Sequence, residues 1–193
     1  MTPEVLVIKV SSPIEAPTFN FLLCFAPPEK RERILRQRVK QNANNMAVGA
    51  ALAKYMVYRT FHIPTEKQRI AYGSHGKPYL PDYPNVHFNI SHSGQFVACA
   101  VCDRPVGLDI QKVRPYDPAV AHRVCSIAEL AEIERSDDAA LTFTKLWTQK
   151  EASLKMMGVG IAGGELELFP PHNITIKSSN VMDYMLSVCT SCC

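Results

Sequence analysis

The longest helical pattern in the sequence runs from Asp138 to Met157 and stops at Gly158, a residue type common just after helix ends. A second helical pattern, from about Asn42 to Tyr58, has an apolar stripe that recurs at helical spacing. Short apolar strand patterns precede and follow these helices, so strands and helices alternate in two roughly equal halves. This arrangement predicts an α+β protein with a seam near Asp103–Pro105.

The seam predicts two lobes, residues 1–103 and residues 104–193. In the first lobe we predict a basic helix, Glu29–Arg36, that begins after a pair of prolines. A tight turn at Ser91–Gly94 is expected to join the strands on either side of it. The predicted strands are Val5–Val10, Val86–Ile90, Phe96–Val101, Val106–Ile110, Glu165–Phe169, Ile174–Lys177 and Met185–Cys189. The remaining predicted helices are Pro118–Cys125 and Ala128–Arg135.

The composition disfavours several classes of function. An apolar content of 47% in 193 residues suits a globular protein with a sizeable core, and the net charge of +3 is too small to indicate a nucleic-acid partner. The first residues lack the basic segment of a secretory signal, and no apolar run is long enough to span a bilayer. We therefore expect a cytoplasmic protein without a membrane partner, whose seven cysteines are free thiols.

Cysteine pairs three residues apart, such as Cys99 and Cys102, raise the alternative of a zinc site. These two cysteines lie in a predicted strand, where residues three apart point to opposite faces. Such a pair is poorly placed to chelate one ion, so buried thiols are the favoured interpretation.

The helix around Trp147 has the densest cluster of chemically active residues. At about 100° per residue, one face of this helix holds Trp147, Lys150, Glu151, Leu154 and Lys155. The simpler interpretation is a solvated face with a stabilising Glu151–Lys155 pair at i,i+4 spacing. A functional face is the alternative.

Asp109 lies between two apolar residues of a short predicted strand, so its side chain points away from those of Leu108 and Ile110. If the two apolar side chains face the core, Asp109 faces a cleft or solvent. That position suits a ligand of a hard metal ion, and a plain exposed aspartate is the alternative.

Two further segments suit phosphate binding. His92 and the hydroxyls of Ser91 and Ser93 are able to donate to phosphate oxygens, although turn residues of this kind also satisfy local backbone groups. A serine-hydrolase elbow is disfavoured because position 91 is serine where the motif needs glycine. Lys77 is not part of a Walker loop because position 71 is alanine, but it is able to meet a phosphate as a point charge.

Taken in order, four of these segments resemble the signature blocks of the Sfp-type (surfactin-synthetase type) 4′-phosphopantetheinyl transferases. The blocks are Gly76–Pro78, Phe88–Ser93, Gly107–Ile110 and Trp147–Lys155, and the resemblance extends upstream to Pro28–Arg33. It implies a pseudo-twofold monomer of two similar α+β lobes, with coenzyme A and Mg²⁺ in the cleft between them.

The resemblance implies transfer of the 4′-phosphopantetheine of coenzyme A to a serine of an apo acyl or peptidyl carrier protein, with release of 3′,5′-ADP. Asp109 and Glu151 would bind Mg²⁺, or Mn²⁺, which prefers similar oxygen ligands. Lys155 would contact the attacked phosphate. Glu151 is the best candidate for the acceptor of the serine proton, and a metal-bound water is the competing acceptor. The further coenzyme A ligands would be Lys77, Ser91 and His92 at the phosphates of the adenosine end and Lys30 with Arg33 at the 3′-phosphate.

Two departures from the family pattern concern metal and nucleotide binding. Gln111 stands where many relatives have a second acid, so one negative charge is lost and we expect weaker metal binding or a water in that coordination position. Asn45 and Met46 stand where the family often has an arginine and a hydroxyl residue, so contacts to the nucleotide end are expected to be missing.

The carrier protein is the expected macromolecular partner. Carrier proteins generally present an acidic helix beside their serine, and a basic surface downstream of Asp109 would complement it. That surface consists of Lys112, Arg114, His122 and Arg123, and an ordinary solvated surface is the alternative. Two other functions use the same residues: a metal-dependent nucleotide phosphohydrolase, and a non-catalytic module that binds coenzyme A or a carrier protein.

Overall fold

The computed structural model describes residues 1–10, 13–159 and 173–192, and it confirms the α+β class. The strands are β1 Glu4–Lys9, β2 Ala71–Tyr72, β3 Pro78–Tyr79, β4 His87–Ser93, β5 Phe96–Cys102, β6 Val106–Lys112, β7 Ile174–Val181 and β8 Tyr184–Ser191. The helices are α1 Ala16–Leu23, α2 Pro28–Leu35, α3 Lys40–Phe61, α4 Pro118–Val124, α5 Ile127–Arg135 and α6 Ala139–Met157. The predicted strand Glu165–Phe169 lies outside the described residues.

Each half of the chain contains a three-stranded antiparallel sheet and one long helix. In the first half the strand order is β1-β5-β4 and α3 packs on the sheet; in the second the order is β6-β8-β7 and α6 packs on β6 and β8. We keep the proposed boundaries, residues 1–103 and 104–193, as names for an N-terminal and a C-terminal lobe.

Strand β5 is buried on both faces because it lies between two hydrophobic cores. Its residues Val97, Cys99 and Val101 pack with α3, whereas Ala98, Ala100 and Cys102 pack with β6 and β8 of the other lobe. The alternation follows from the two-residue period of a strand. It places Cys99 and Cys102 in different cores, as the sequence predicts.

The turn between β4 and β5 differs from its prediction. Ser91, His92 and Ser93 belong to β4, and the turn consists of Gly94 and Gln95. Gly94 has a positive φ of 52°, a conformation that two-residue hairpin turns require and that glycine adopts at low cost. The polar residues of β4 were mistaken for a turn because their side chains find partners on a neighbouring strand.

That neighbouring strand is β6, which lies beside β4 at the seam between the lobes. Side chains on one face of β4 accept hydrogen bonds from alternate backbone N–H groups of β6, and the matched order of the pairs means that the two strands run in the same direction. The pairs are Leu108 N to Asn89 Oδ1 at 3.0 Å, Ile110 N to Ser91 Oγ at 3.3 Å and Lys112 N to Ser93 Oγ at 3.2 Å. Side chains of one lobe thus accept from backbone N–H groups at the sheet edge of the other.

Candidate functional site

Helix α6 supplies two of the predicted site residues from the C-terminal lobe. Its N-terminus is capped by Asp138, whose carboxylate accepts from Leu141 N at 2.9 Å, and it ends at Gly158 in the left-handed conformation. Glu151 and Lys155 lie one turn apart on the helix, so both side chains reach the seam. Strand β6 brings Asp109 to the same place.

Asp109 is the centre of the polar network at the seam. Its side chain is 1% exposed and forms an ion pair with Lys155, whose Nζ lies 2.5 Å from Oδ1. Ser91 Oγ donates to the same oxygen at 2.7 Å, and Gln111 Nε2 donates to Oδ2 at 3.2 Å. The network joins residues of both lobes, since Ser91 comes from β4.

Glu151 lies beside this network without entering it. Among the residues that the structure describes, no donor and no cation pairs with its carboxylate. Burial raises the pKa of Glu151, the negative charge of Asp109 raises it further, and Lys155 opposes the rise. Two carboxylates therefore lie close enough to repel one another, with one cation near both.

This donor set fits a hard divalent cation. Two neighbouring carboxylates, one of them partly buried and unpaired, are the ligands that Mg²⁺ prefers, and a cation between them would relieve their repulsion. In residues 1–10, 13–159 and 173–192, no cluster of three or more His, Cys, Asp or Glu side chains is arranged to hold a metal. The described residues thus offer two carboxylates at this place.

Gln111 is turned so that its amide nitrogen faces Asp109. Its Oε1 accepts from Ser93 Oγ at 3.4 Å, on the side of β4. For this oxygen to become a metal ligand the amide has to rotate and give up both contacts. In the structure the amide of Gln111 thus hydrogen-bonds within the seam, as a donor to Asp109 and an acceptor from Ser93.

A cavity of about 190 Å³ lies beside the network, between α3 and the β2–β3 hairpin of the N-terminal lobe. Lys30 lies at its wall, with Nζ 5.5 Å from the centre of the Tyr72 ring. Burial lowers the pKa of Lys30, and the nearby charge of Arg33 lowers it further. The His92 side chain opens to solvent on one side, but protein atoms around it lower its pKa by desolvation. The positive charges of Lys155 and Lys30 lower this pKa further. His92 thus lies between the cavity and the network around Asp109.

Asn45 and Met46, the two residues of α3 that depart from the family pattern, have different surroundings in the structure. Asn45 is buried, donates to the carbonyl of Gly94 at 2.9 Å and accepts from Gln41 at 2.9 Å, so its amide holds the β4–β5 turn. Met46 lines the cavity and offers no hydrogen-bond donor. Lys30 of α2 and the imidazole of His92 on β4 also line this cavity.

Three predicted residues are used within the fold. Ser91 is 5% exposed and accepts from Lys155 Nζ at 3.1 Å as well as contacting Asp109. Lys77 donates to backbone carbonyls of the C-terminal lobe. Lys150 points away from Glu151: it is buried, with its Nζ 2.8 Å from Glu129 Oε2 and 2.7 Å from the carbonyl of Val124.

The Lys150–Glu129 pair fixes α5 to α6. Glu129 also accepts from the backbone N–H of Ser126 at 2.6 Å, which closes a capping box at the start of α5. Sequence reasoning placed Lys150 on the functional face and did not find its partner, although the Ser126–Glu129 spacing is a recognisable capping signal.

A second surface depression, of about 210 Å³, lies in the C-terminal lobe and has Gln111 in its lining. Three aromatic side chains form its apolar part: the rings of Tyr116 and Phe143 are 5.6 Å apart, and those of Phe143 and Trp147 are 6.4 Å apart. Its basic residues are Lys112 and Arg114, both exposed, and Lys112 pairs with Asp183 at 3.2 Å. His122 and Arg123 are exposed in the last turn of α4.

None of the helices in the described part of the chain combines the length and apolar character needed to cross a membrane.

Comparisons with known proteins match nearly the whole chain. A model of the N-terminal part of 4′-phosphopantetheinyl transferases matches residues 12–104, and a model of the 4′-phosphopantetheinyl transferase superfamily matches residues 105–190. The chain is similar to the 4′-phosphopantetheinyl transferase Sfp of Bacillus subtilis, with 33% identity over 157 residues that cover 80% of this chain and 70% of the relative. It is also similar to the transferase gsp of Aneurinibacillus migulanus, with 31% identity over 82% of this chain and 67% of the relative. Similarity to the transferase AcpT of Salmonella typhimurium is 34% over 63% of this chain and 66% of the relative.

Proposed function

The chain belongs to the 4′-phosphopantetheinyl transferase superfamily, whose members move phosphopantetheine from coenzyme A to a carrier protein, and we propose that Asp109, Glu151 and Lys155 carry out this transfer. The observation that supports the assignment most directly is the buried Asp109, paired with Lys155 and lying beside the unpaired carboxylate of Glu151. We further propose that the enzyme acts as a cytoplasmic monomer.

In the proposed reaction the hydroxyl oxygen of the carrier serine attacks the β-phosphorus of coenzyme A. A new phosphorus–oxygen bond forms, the bond to the bridging oxygen breaks, and 3′,5′-ADP leaves with the bonding electron pair. Glu151 takes the proton from the serine, and the Lys155 ammonium neutralises charge on the phosphate oxygens. Asp109 and Glu151 would hold a Mg²⁺ or Mn²⁺ ion, which would further neutralise charge on the diphosphate.

The residues around the 190 Å³ cavity would hold the nucleotide end of coenzyme A. Lys30 and His92 offer donor groups there, Arg33 lies close to Lys30, and Met46 with the neighbouring apolar side chains offers a surface for the base. The roles of Ser91 and Lys77 as phosphate ligands compete with the contacts that both make within the fold.

Incubation of the protein with coenzyme A, Mg²⁺ and an apo carrier protein tests this function and separates it from its alternatives. A gain of one phosphopantetheine in the mass of the carrier supports the transferase. Release of 3′,5′-ADP without labelling of the carrier would indicate a phosphohydrolase. Binding of coenzyme A or carrier with neither product would indicate a non-catalytic module.

The Gln111→Glu variant is expected to bind Mg²⁺ more tightly than the wild type, by about tenfold. A third carboxylate next to Asp109 adds one negative charge to the site and replaces an amide whose nitrogen now faces Asp109. Isothermal titration with Mg²⁺ measures the affinity. Asn180→Asp, which adds the same charge at an exposed position on β7, controls for general electrostatics. Unchanged affinity in the Gln111→Glu protein contradicts the proposal for this position.

We propose that the carrier protein docks on the surface formed by Lys112, Arg114, His122 and Arg123. The aromatic depression beside it would accept apolar side chains of the carrier, and the Lys150–Glu129 pair holds the adjoining helices in place. Arg123→Glu is expected to raise the KM for the carrier by about tenfold and to leave the KM for coenzyme A unchanged. Lys9→Glu, an exposed charge reversal on β1, is the control. Equal carrier KM values for Arg123→Glu and the wild type would place docking elsewhere.

A further inference from the structure

Lys77 lies at the end of a closed turn between β2 and β3. The backbone N–H of Gly73 donates to the carbonyl of Lys77 at 2.9 Å, and that of Gly76 donates to the carbonyl of Gly73 at 2.9 Å. Gly76 has a φ of 76°, so the turn depends on a glycine at that position. With Pro78 directly after it, the backbone of Lys77 has little freedom, and the direction of its side chain is set by the turn.

The side chain of Lys77 crosses from the N-terminal lobe to the C-terminal lobe. Its Nζ donates to the carbonyl of Met156 at 2.6 Å and to that of Val106 at 3.3 Å. Its aliphatic part packs on Gly158, where a Cβ atom would stand 3.4 Å from Lys77 Cδ. Met156 belongs to the last turn of α6, whose carbonyls have no partner further along the helix and form the negative end of the helix dipole.

The surroundings of the Lys77 ammonium are dipoles and not carboxylates. In the described part of the chain no acidic side chain pairs with it, and its titratable neighbours are His87 and Cys189. Burial lowers the pKa of Lys77 to about 8, so the group is mostly protonated at neutral pH. Two of its three donors are directed at carbonyls, so contact with a phosphate would require the side chain to leave a site that already fits it.

These contacts connect the two parts of the proposed active site. The β2–β3 hairpin walls the nucleotide cavity through Tyr72, Gly76 and Pro78, and α6 carries Glu151 and Lys155. We propose that Lys77 is a positioning residue that holds this hairpin against the C-terminal end of α6, so that coenzyme A bound in the cavity presents its diphosphate to α6. The proposal deepens the proposed function and rests on it.

The test compares Lys77→Met and Lys77→Gln with Lys30→Met as the matched control. For each protein, carrier labelling is measured with coenzyme A and with 3′-dephospho-coenzyme A, and unfolding in urea is measured without any donor. Lys77→Met is expected to lower kcat about tenfold or more, by the same factor with both donors, because the reacting groups are misaligned. It should also lower the urea midpoint. Lys77→Gln, which keeps hydrogen-bond donors in the side chain but no charge, is expected to recover part of both losses.

Lys30→Met should behave differently, since Lys30 lies at the cavity and pairs with no described residue across the seam. We expect it to raise the KM for coenzyme A, with a much smaller effect for the donor that lacks the 3′-phosphate. If Lys77→Met follows this pattern, Lys77 is a phosphate ligand and the proposal is wrong. The proposal is also wrong if Lys77→Met leaves the urea midpoint unchanged, because the side chain then does not hold the two lobes together. The proposal is equally contradicted if Lys77→Gln is no better than Lys77→Met in both measurements. Absence of labelling by the wild type would contradict the proposed function instead, and the unfolding comparison would still test the contact.

Discussion

Replacing Gly107 by alanine is expected to destabilise the protein by about 5 kcal/mol or more, which is enough to leave much of the chain unfolded. Strand β6 passes directly against α6 at this residue. A Cβ atom on Gly107 would stand 1.9 Å from the carbonyl oxygen of Ala152, 2.3 Å from the nitrogen of Met156 and 2.9 Å from its Cα. All three are backbone atoms, so no side-chain rotation relieves the contact and the helix has to move away from the sheet.

Urea unfolding measured by circular dichroism tests this expectation, and the yield of folded protein is the readout if the variant does not accumulate. Gly73→Ala is the matched control, because the nearest atom to its Cβ would be the carbonyl oxygen of Lys77 at an ordinary 3.7 Å. It should change the free energy of unfolding by less than about 1 kcal/mol. A Gly107→Ala protein with the midpoint of the wild type would show that α6 yields more easily than its packing indicates.

Gly107 is also a case in which a residue of a sequence motif is explained by a tertiary contact. The sequence identifies a glycine before Leu108 and Asp109 as part of a signature, but no local property of the segment explains it: the residue lies in a strand and its φ is not positive. The reason is a contact with a helix that begins 32 residues later, at Ala139. Tertiary packing of this kind has no signal in a single sequence.

Most helices and strands were predictable because their apolar residues recur at a clear period. Helix α1, Ala16–Leu23, was missed because no side chain caps its N-terminus, although Pro17 in its first turn is a helix-start signal. The assignment of Ser91–Ser93 to a turn failed because the partners of these side chains lie on another strand. Their polar side chains suit a turn, yet in the structure Ser91 and Ser93 accept hydrogen bonds from the backbone of β6 across the seam.

The candidate site was predictable in its composition and less so in its connections. The structure brings Asp109, Glu151 and Lys155 together, and their roles in catalysis and metal binding remain predictions. Helical spacing placed Lys150 on the same face, but its buried partner Glu129 lies on another helix. Lys77 reaches the C-terminal lobe, where it donates to the carbonyls of Met156 on α6 and Val106 on β6. Pairings between distant segments determine which charge is free to act.

The Glu151→Gln variant is expected to label the carrier about a thousandfold more slowly than the wild type. The amide has the shape of the carboxylate but accepts no proton from the serine, and it removes one of two charged ligands from the proposed metal site. The fold should remain intact, because no described residue depends on the Glu151 carboxylate as a partner. Its pKa is raised in the folded state, so the ionised group costs stability at neutral pH, and the metal-free variant should be as stable as the wild type or slightly more so.

Two comparisons separate the roles of Glu151. Glu134→Gln, an exposed change on α5, controls for the loss of a negative charge from the C-terminal lobe. If Glu151 acts only as a metal ligand, a high concentration of Mg²⁺ should restore the labelling rate of Glu151→Gln. If it is also the proton acceptor, kcat should stay low at saturating Mg²⁺ even though coenzyme A still binds. Full labelling by Glu151→Gln at ordinary Mg²⁺ would show that another group takes the proton.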